Sequence, residues 1–231
     1  MEKNMKVEVV SYTQPNGKDW RWGMPAELIM QQIAHAARVS NPSNQNNTQS
    51  SEKLVKYLIK NKHWSPLEMV DVTLEIETTR DIARQILRHR SFSFQEFSQR
   101  YADPTRELAF DYKEARLQDK KNRQSSIPLT IEQKWIQEQW VTRQDEVIDL
   151  AREMYDWAIK NGIAKEQARA VLPEGLTVSR LYMKGSLRSW IHYIELRTGN
   201  GTQKEHMEVA RQCASQIGTI FPLIFTYVGE K

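Results

Sequence analysis

Val70-Asp71-Val72-Thr73-Leu74-Glu75-Ile76-Glu77 is the stretch whose reading decides the fold. Its apolar residues alternate strictly with polar ones, the period of a strand with one face buried and the other in water. Such a strand needs partners and a cover. Upstream, Lys6-Val7-Glu8-Val9-Val10-Ser11-Tyr12 alternates similarly and ends at the turn signal Pro15-Asn16-Gly17. Downstream, a further strand is expected around Thr177 to Met183. The remaining apolar periods are helical: Pro25 to about Val39, Ser51 to Asn61, and the longest from Thr130 to Lys160, with Ile131, Trp135, Ile148, Ala151 and Tyr155 at helical spacing. Three more helices are expected at Ala164 to Val171, Ser186 to Arg197 and Gln203 to about Ile220, stopped by Pro173, by Gly199 and Gly201, and by Pro222. The polar run Asn41 to Ser50, with Pro42, reads as a loop. Long helices with a few separated strands give an α+β class, and the short linkers predict one domain over 1–231.

The composition limits the function classes. With 231 residues, 39% of them hydrophobic, the chain can bury a real core. A net charge of +4, from 33 basic and 29 acidic residues, leaves open a nucleotide, a nucleic acid or another anionic partner. Cys213 is the single cysteine, which excludes an internal disulfide and any multi-thiolate metal site. No metal is expected, and a reducing, cytoplasmic setting fits. Met1 to Met5 carry no apolar signal region, and no apolar run is long enough to cross a bilayer, so neither export nor membrane insertion is expected.

The chemistry concentrates between Arg80 and Arg106, where arginine occurs at 80, 84, 88, 90, 100 and 106 and lysine does not occur. A guanidinium holds two phosphate or carbonyl oxygens at once and stacks on flat rings, which an ammonium does not. Arg80, Arg84 and Arg88 stand four apart on an expected helix, where like charges repel by roughly a few tenths of a kcal/mol per pair. Any one of them alone reads first as a solvated cation tied to Glu75, Glu77 or Glu96, and it is the cluster that points to a ligand. After Arg90, Ser91-Phe92-Ser93-Phe94-Gln95-Glu96-Phe97-Ser98-Gln99 alternates polar groups with rings and reads as a loop able to hydrogen-bond and stack a planar base.

Arg88-His89-Arg90, seven residues and then Ser98 resembles the R-H-R-x7-S signature of flavin-dependent thymidylate synthases. Arg84-Gln85, Glu96 and Arg100-Tyr101 flank it as in that family; Gln95 departs, since the family usually has Asn there. His63-Trp64-Ser65-Pro66-Leu67-Glu68 resembles the family's H-x-[ST]-P-x-E segment and by itself reads as a capping box with Ser65 at the N-cap. Arg169-Ala170-Val171-Leu172-Pro173 resembles A-R-x-x-L-P, although a lone arginine there also suits a helix C-terminus. Ser186 to Arg197 resembles the family's flavin helix, and the matches run from about Ala36 to the last helix.

The resemblance implies a small central, largely antiparallel sheet flanked by long helices. It implies conversion of dUMP to dTMP, with methylenetetrahydrofolate giving the carbon, FAD as cofactor and NADPH as its reductant, in a homotetramer whose sites are shared between subunits. By the same resemblance Ser65, Arg88, His89, Arg90, Glu96, Ser186, Arg188 and His192 contact the flavin. Gln85, Arg88, Glu96, Phe97, Ser98, Gln99, Arg100, Arg169 and Arg197 contact the nucleotide, and Arg197 is catalytic. Ser98 is expected to bind, because a serine nucleophile needs an adjacent base. Cys213 lies in a helical run as a small buried side chain. Glu205-His206 follows Arg197 later than the family's acid-His pair, across the insertion Thr198-Gly199-Asn200-Gly201-Thr202, and His206 is expected at the surface of the last helix.

Two other classes compete. A single-stranded nucleic-acid binder would stack bases on Phe92, Phe94, Phe97 and Tyr101 among the arginines. A folate-dependent RNA methyltransferase with flavin would typically carry a G-x-G-x-x-G fingerprint, and the sequence has none.

Overall fold

The structure is a computed structural model describing residues 5–16 and 25–229. Met1 to Asn4, and Gly17 of the expected first turn, lie outside the described residues. In chain order the elements are β1 (Lys6–Tyr12), α1 (Pro25–Ala37), α2 (Ser51–Lys60), β2 (Asp71–Thr79), α3 (Arg80–Ile86), β3 (Ser93–Glu96), α4 (Pro104–Glu107), β4 (Arg116–Gln118), β5 (Ser126–Pro128), α5 (Lys134–Lys160), α6 (Lys165–Ala168), β6 (Val178–Ser186), α7 (Leu187–Thr198) and α8 (Lys204–Gly218), with short 3-10 turns between them.

β2 is central, as its alternation requires: Val72, Leu74 and Ile76 are wholly buried. β1 and β6 flank it and β3 forms the far edge, giving the order β1-β2-β6-β3 with every pair antiparallel. Leu74 faces Met183 on the buried side, while Glu77 faces Arg180 on the other, where Arg180 bonds Glu77 Oε1 and Lys184 reaches Asp71 at 3.0 Å. One side is therefore apolar and covered by helices, the other a lattice of cross-strand ion pairs. The covering layer includes α1, α7 and α8, and Trp190 of α7 is wholly buried with its indole N–H on Val72 O at 3.1 Å. A second apolar cluster forms where Ile148, Ala151, Tyr155 and Ala158 of α5 meet Phe110, Ala168, Leu172 and Leu176.

Several local expectations change. Ser93–Glu96 is an edge strand on β6, not a loop, because its alternating residues continue the sheet. α3 ends at Ile86, so Arg88 does not share its face with Arg80 and Arg84. Arg80 is only 5% exposed, and it shares Glu174 with Arg84, which offsets their mutual repulsion. The Ala164 to Val171 segment divides into α6 and a 3-10 turn, Arg169–Val171. The β4–β5 hairpin was not foreshadowed by any apolar pattern.

Candidate active site

β2 passes directly into α3, and the chain then turns at residues 87–92 to return as β3 beside β6. Phe92 seats this turn. Its ring lies over Gly185 so closely that a Cβ there would be 2.4 Å from Phe92 Cδ1, and it meets Trp190 edge-on at 4.8 Å. A side chain at 185 would push the turn off the β6–α7 junction. The seating brings the His89 ring to 4.9 Å from that of Tyr193. From the last turn of α7, Arg197 donates its Nε–H to His89 Nε2 at 2.9 Å. A guanidinium only donates, so His89 Nε2 is a lone pair and the ring proton sits on Nδ1. Burial, with the cations of Arg197 and Arg88 nearby, holds the His89 pKa down to about 4, so the ring is neutral at pH 7. Arg88 and Arg90 are exposed on either side of it.

A second group forms at the start of α7. Ser186 is the N-cap, its hydroxyl accepting from Ser189 N, and Ser189 Oγ in turn donates to Ser91 O at 3.3 Å, beside Arg90. Arg188 pairs with Glu68 at 2.7 Å, and the Ser186 hydroxyl, Arg188 and His192 together hold the Glu68 carboxyl below its usual range against the opposing effect of burial. His192 meets Trp64 edge-on at 4.8 Å. Ser65 begins the neighbouring 3-10 turn Ser65–Met69 and is exposed, and the expected capping box is absent: Trp64, in helical conformation, takes the N-cap position and no side chain caps the turn. Glu68 is engaged by α7 instead.

A third group lies at the outer edge. Glu96 is taken inward, accepting from Ser179 Oγ at 2.9 Å and pairing with Arg80 at 3.5 Å. The backbone N–H of Phe97 bonds Arg180 O, and Ser98 makes a turn, its hydroxyl accepting from Arg100 N and its carbonyl from Tyr101 N and Ala102 N. Gln99 is 4% exposed with its amide nitrogen unpartnered. Arg100 and Arg169 meet on Glu166 rather than on Arg197: Arg100 bonds its carboxylate at 3.1 Å and Arg169 its carbonyl at 3.2 Å.

Between these groups sits Gln85, half-buried on α3. It bonds Gln203 and His206, and here the expectation for His206 is corrected: the ring is wholly buried, between Gln85 and the hydroxyl of Tyr193. The insertion after Arg197 does not expose it, because α8 turns that face into the core beside α3 and α7. Tyr193, Gln203, Glu205 and Arg116 are site neighbours that sequence reasoning missed; only the Glu205-His206 pair carried a signal. Cys213 is wholly buried, and burial pushes its thiol far above the range in which a thiolate forms.

Residues 28–223 match the family described as thymidylate synthase complementing protein. The chain is 50% identical over 194 residues to the "probable flavin-dependent thymidylate synthase" of Paramecium bursaria Chlorella virus 1, covering 83% of this chain and 87% of that protein. It is 49% identical over 194 residues to the flavin-dependent thymidylate synthase of Synechocystis sp., covering 83% and 86%. Among solved structures it resembles a UMP/dUMP methylase, PolB from Streptomyces cacaoi, bound with 5-Br dUMP, with a TM-score of 0.78, 26% identity and coverage of 98% of this chain and 95% of that one.

Proposed function

The chain belongs to the flavin-dependent thymidylate synthases, and from that premise we propose that it methylates dUMP to dTMP, with methylenetetrahydrofolate as carbon donor, FAD as its flavin and NADPH as reductant. The donor set suits a flavin dinucleotide: exposed guanidiniums at Arg88 and Arg90 for an anionic pyrophosphate, and the hydroxyls, imidazole and ion pair of Ser65, Ser186, His192, Arg188 and Glu68 beside them. When bound, the flavin supplies the hydride chemistry.

The observation that carries the assignment of roles is the bond from Arg197 Nε to His89 Nε2. A neutral imidazole behind the guanidinium fixes its plane without adding a competing charge, and leaves its terminal N–H groups for a ligand. Directed at N3 and the adjacent carbonyls of a uracil ring, they stabilise negative charge developing there and make C5 more nucleophilic. Arg100 and Arg169, both bonded to Glu166, bind the dianionic phosphate, which competes with the Glu166 carboxylate for Arg100 and with its carbonyl for Arg169. Gln85, Arg88, Phe97, Ser98 and Gln99 hold sugar and base, with Glu96, braced by Arg80, at the junction with the flavin. Among the described residues no base is bonded to Ser98, whose hydroxyl accepts from Arg100 N, which supports a binding role over a nucleophilic one.

We further propose one functional domain over 1–231, a homotetramer with sites shared between subunits, and a cytoplasmic location. Among the described residues no helix is long and apolar enough to cross a membrane. The test is optical: purified protein is expected to be yellow, with flavin absorbance at about 450 nm that shifts when dUMP is added. Colourless protein with strongly salt-dependent oligonucleotide affinity would instead identify a nucleic-acid binder.

A further inference from the structure

Behind Arg197 and His89 a continuous run of polar side chains crosses the molecule, and the reading above leaves most of it unused. It starts at Arg116 on β4, whose Nη2 donates to Glu205 Oε1 at 2.6 Å. Glu205 Oε2 accepts from Gln203 Nε2 at 3.0 Å, and Gln203 Oε1 accepts from Gln85 Nε2 at 2.8 Å. Gln85 Oε1 lies 3.3 Å from His206 Nδ1, and His206 Nε2 lies 3.1 Å from the Tyr193 hydroxyl. His206 is wholly buried, Tyr193 is 1% exposed, and the Arg116 and Glu205 side chains are 12% and 17% exposed.

An isolated glutamine amide can be turned end for end at little cost, and an isolated neutral imidazole can carry its proton on either nitrogen. Here the charged end removes both freedoms. Burial works against ionisation of Glu205, but its bonds to Arg116 and Gln203 outweigh it and hold the pKa below the usual carboxylate range. A carboxylate only accepts, so Gln203 must present its nitrogen to Glu205. Its oxygen then faces Gln85 and takes the nitrogen of that amide. The Gln85 oxygen then faces His206 and requires a proton on Nδ1, which leaves Nε2 to accept from the Tyr193 hydroxyl. Reversing any link sets two acceptors, or two donors, against each other in a largely water-excluded space, where an unpaired polar group is costly.

We propose that Glu205 and His206 are positioning residues: anchored by Arg116, they form a one-way hydrogen-bond relay that locks the Gln85 amide in a single orientation for the nucleotide. Locked this way, Gln85 has its oxygen committed to His206 and one N–H to Gln203, so its second N–H is the free donor. The group it recognises is therefore an acceptor, a uracil carbonyl or a sugar oxygen. This rests on the nucleotide role proposed for Gln85, whereas the relay itself does not.

The test uses flavin-loaded full-length protein labelled with 15N in its histidines. NMR of the ring nitrogens distinguishes Nδ1–H from Nε2–H, with the His206 signals assigned by their loss in His206→Gln. Wild type is expected to show His206 neutral with the proton on Nδ1; a proton on Nε2, or a cationic ring, overturns the relay whether or not any variant folds. In Glu205→Gln, equal in size but able to donate, the His206 signals are expected to move toward a tautomer mixture. KM for dUMP is then expected to rise about five- to tenfold, the worth of roughly one hydrogen bond, with kcat changed by less than about twofold. His206 signals unchanged in a folded Glu205→Gln overturn the relay. A tautomer change with KM unaltered in both Glu205→Gln and Gln85→Leu upholds the relay and overturns the nucleotide role of Gln85.

Discussion

Arg197 and Arg169 each lie near the end of a helical segment, and both are assigned to the same nucleotide, yet the chain treats them differently. Arg197 is bonded to a neutral histidine whose neighbours, Tyr193 and His206, are buried and satisfied. Arg169 bonds the carbonyl of Glu166, and Arg100, its side chain 58% exposed, pairs with the 47% exposed carboxylate of the same residue. The inner half is set by packing before any ligand arrives; the outer half consists of screened, replaceable contacts worth roughly 0–1 kcal/mol each. Fixed donors aimed at developing charge serve the chemical step, and replaceable ones serve capture. Within the inner half Arg197 should therefore control kcat, while the outer half, like the binding donor of Gln85, should control KM.

The largest effect is expected from Arg197→Ala. By analogy with loss of a preorganised donor, kcat for dTMP formation should fall about a thousandfold, or about 4 kcal/mol, with flavin content retained. A loss confined to KM would erase the contrast. Next come Arg169→Ala and Arg100→Ala, each expected to raise KM for dUMP about ten- to a hundredfold while kcat changes little, and to weaken the salt dependence of dUMP binding. A kcat loss like that of Arg197→Ala would place them in the inner half.

The halves should also separate by pH, because among the described residues only the inner one holds histidine rings. Burial, with Arg197 and His89 nearby, holds His206 down to about 3, and His89 is held down to about 4. The unfolded rings take up protons below about 6.5 and the folded ones do not, so stability is complete above that pH and is lost as pH falls toward the folded values. His206 adds a slope of up to about 1.4 kcal/mol per pH unit between roughly pH 6 and 4, and half-buried His89 a smaller one. Denaturant melts of wild type and His206→Gln across this range should differ by about one proton; equal slopes would mean that His206 is not buried and neutral. The smallest effects are expected from Ser98→Ala and Cys213→Ala, which should both keep measurable dTMP formation, the cysteine variant losing only about 1 kcal/mol of stability. Complete inactivity of either folded, flavin-loaded variant would restore a nucleophilic role to that residue.

The sheet and the arginine motif were more legible in the sequence than the buried side chains behind Arg197. β2 announced itself because a strand with one buried face must alternate, and the arginine motif because four fixed residues at fixed spacing are rare. Ser91 to Glu96 alternates too, yet its rings and hydroxyls read equally well as a base-binding loop; only pairing with β6 decides for a strand. Ser65-Pro66-x-Glu68 has the composition of a capping box, but Trp64 is already helical and Glu68 is drawn to Arg188, a partner far along the chain. The burial of His206 is hidden from the sequence for the same reason. A histidine among polar neighbours looks exposed until Tyr193 and Gln85, from two other helices, are seen to satisfy both of its nitrogens. Local pattern reports periodicity and caps; it does not report which distant side chain completes a hydrogen bond.

The central claim is tested most directly by measuring dTMP formation together with tritium release from C5-labelled dUMP, omitting flavin, NADPH and methylenetetrahydrofolate in turn. Coupled label release and dTMP formation that require flavin, with no dTMP without the folate, are the predicted result. dTMP formation that persists in flavin-free protein would contradict the account.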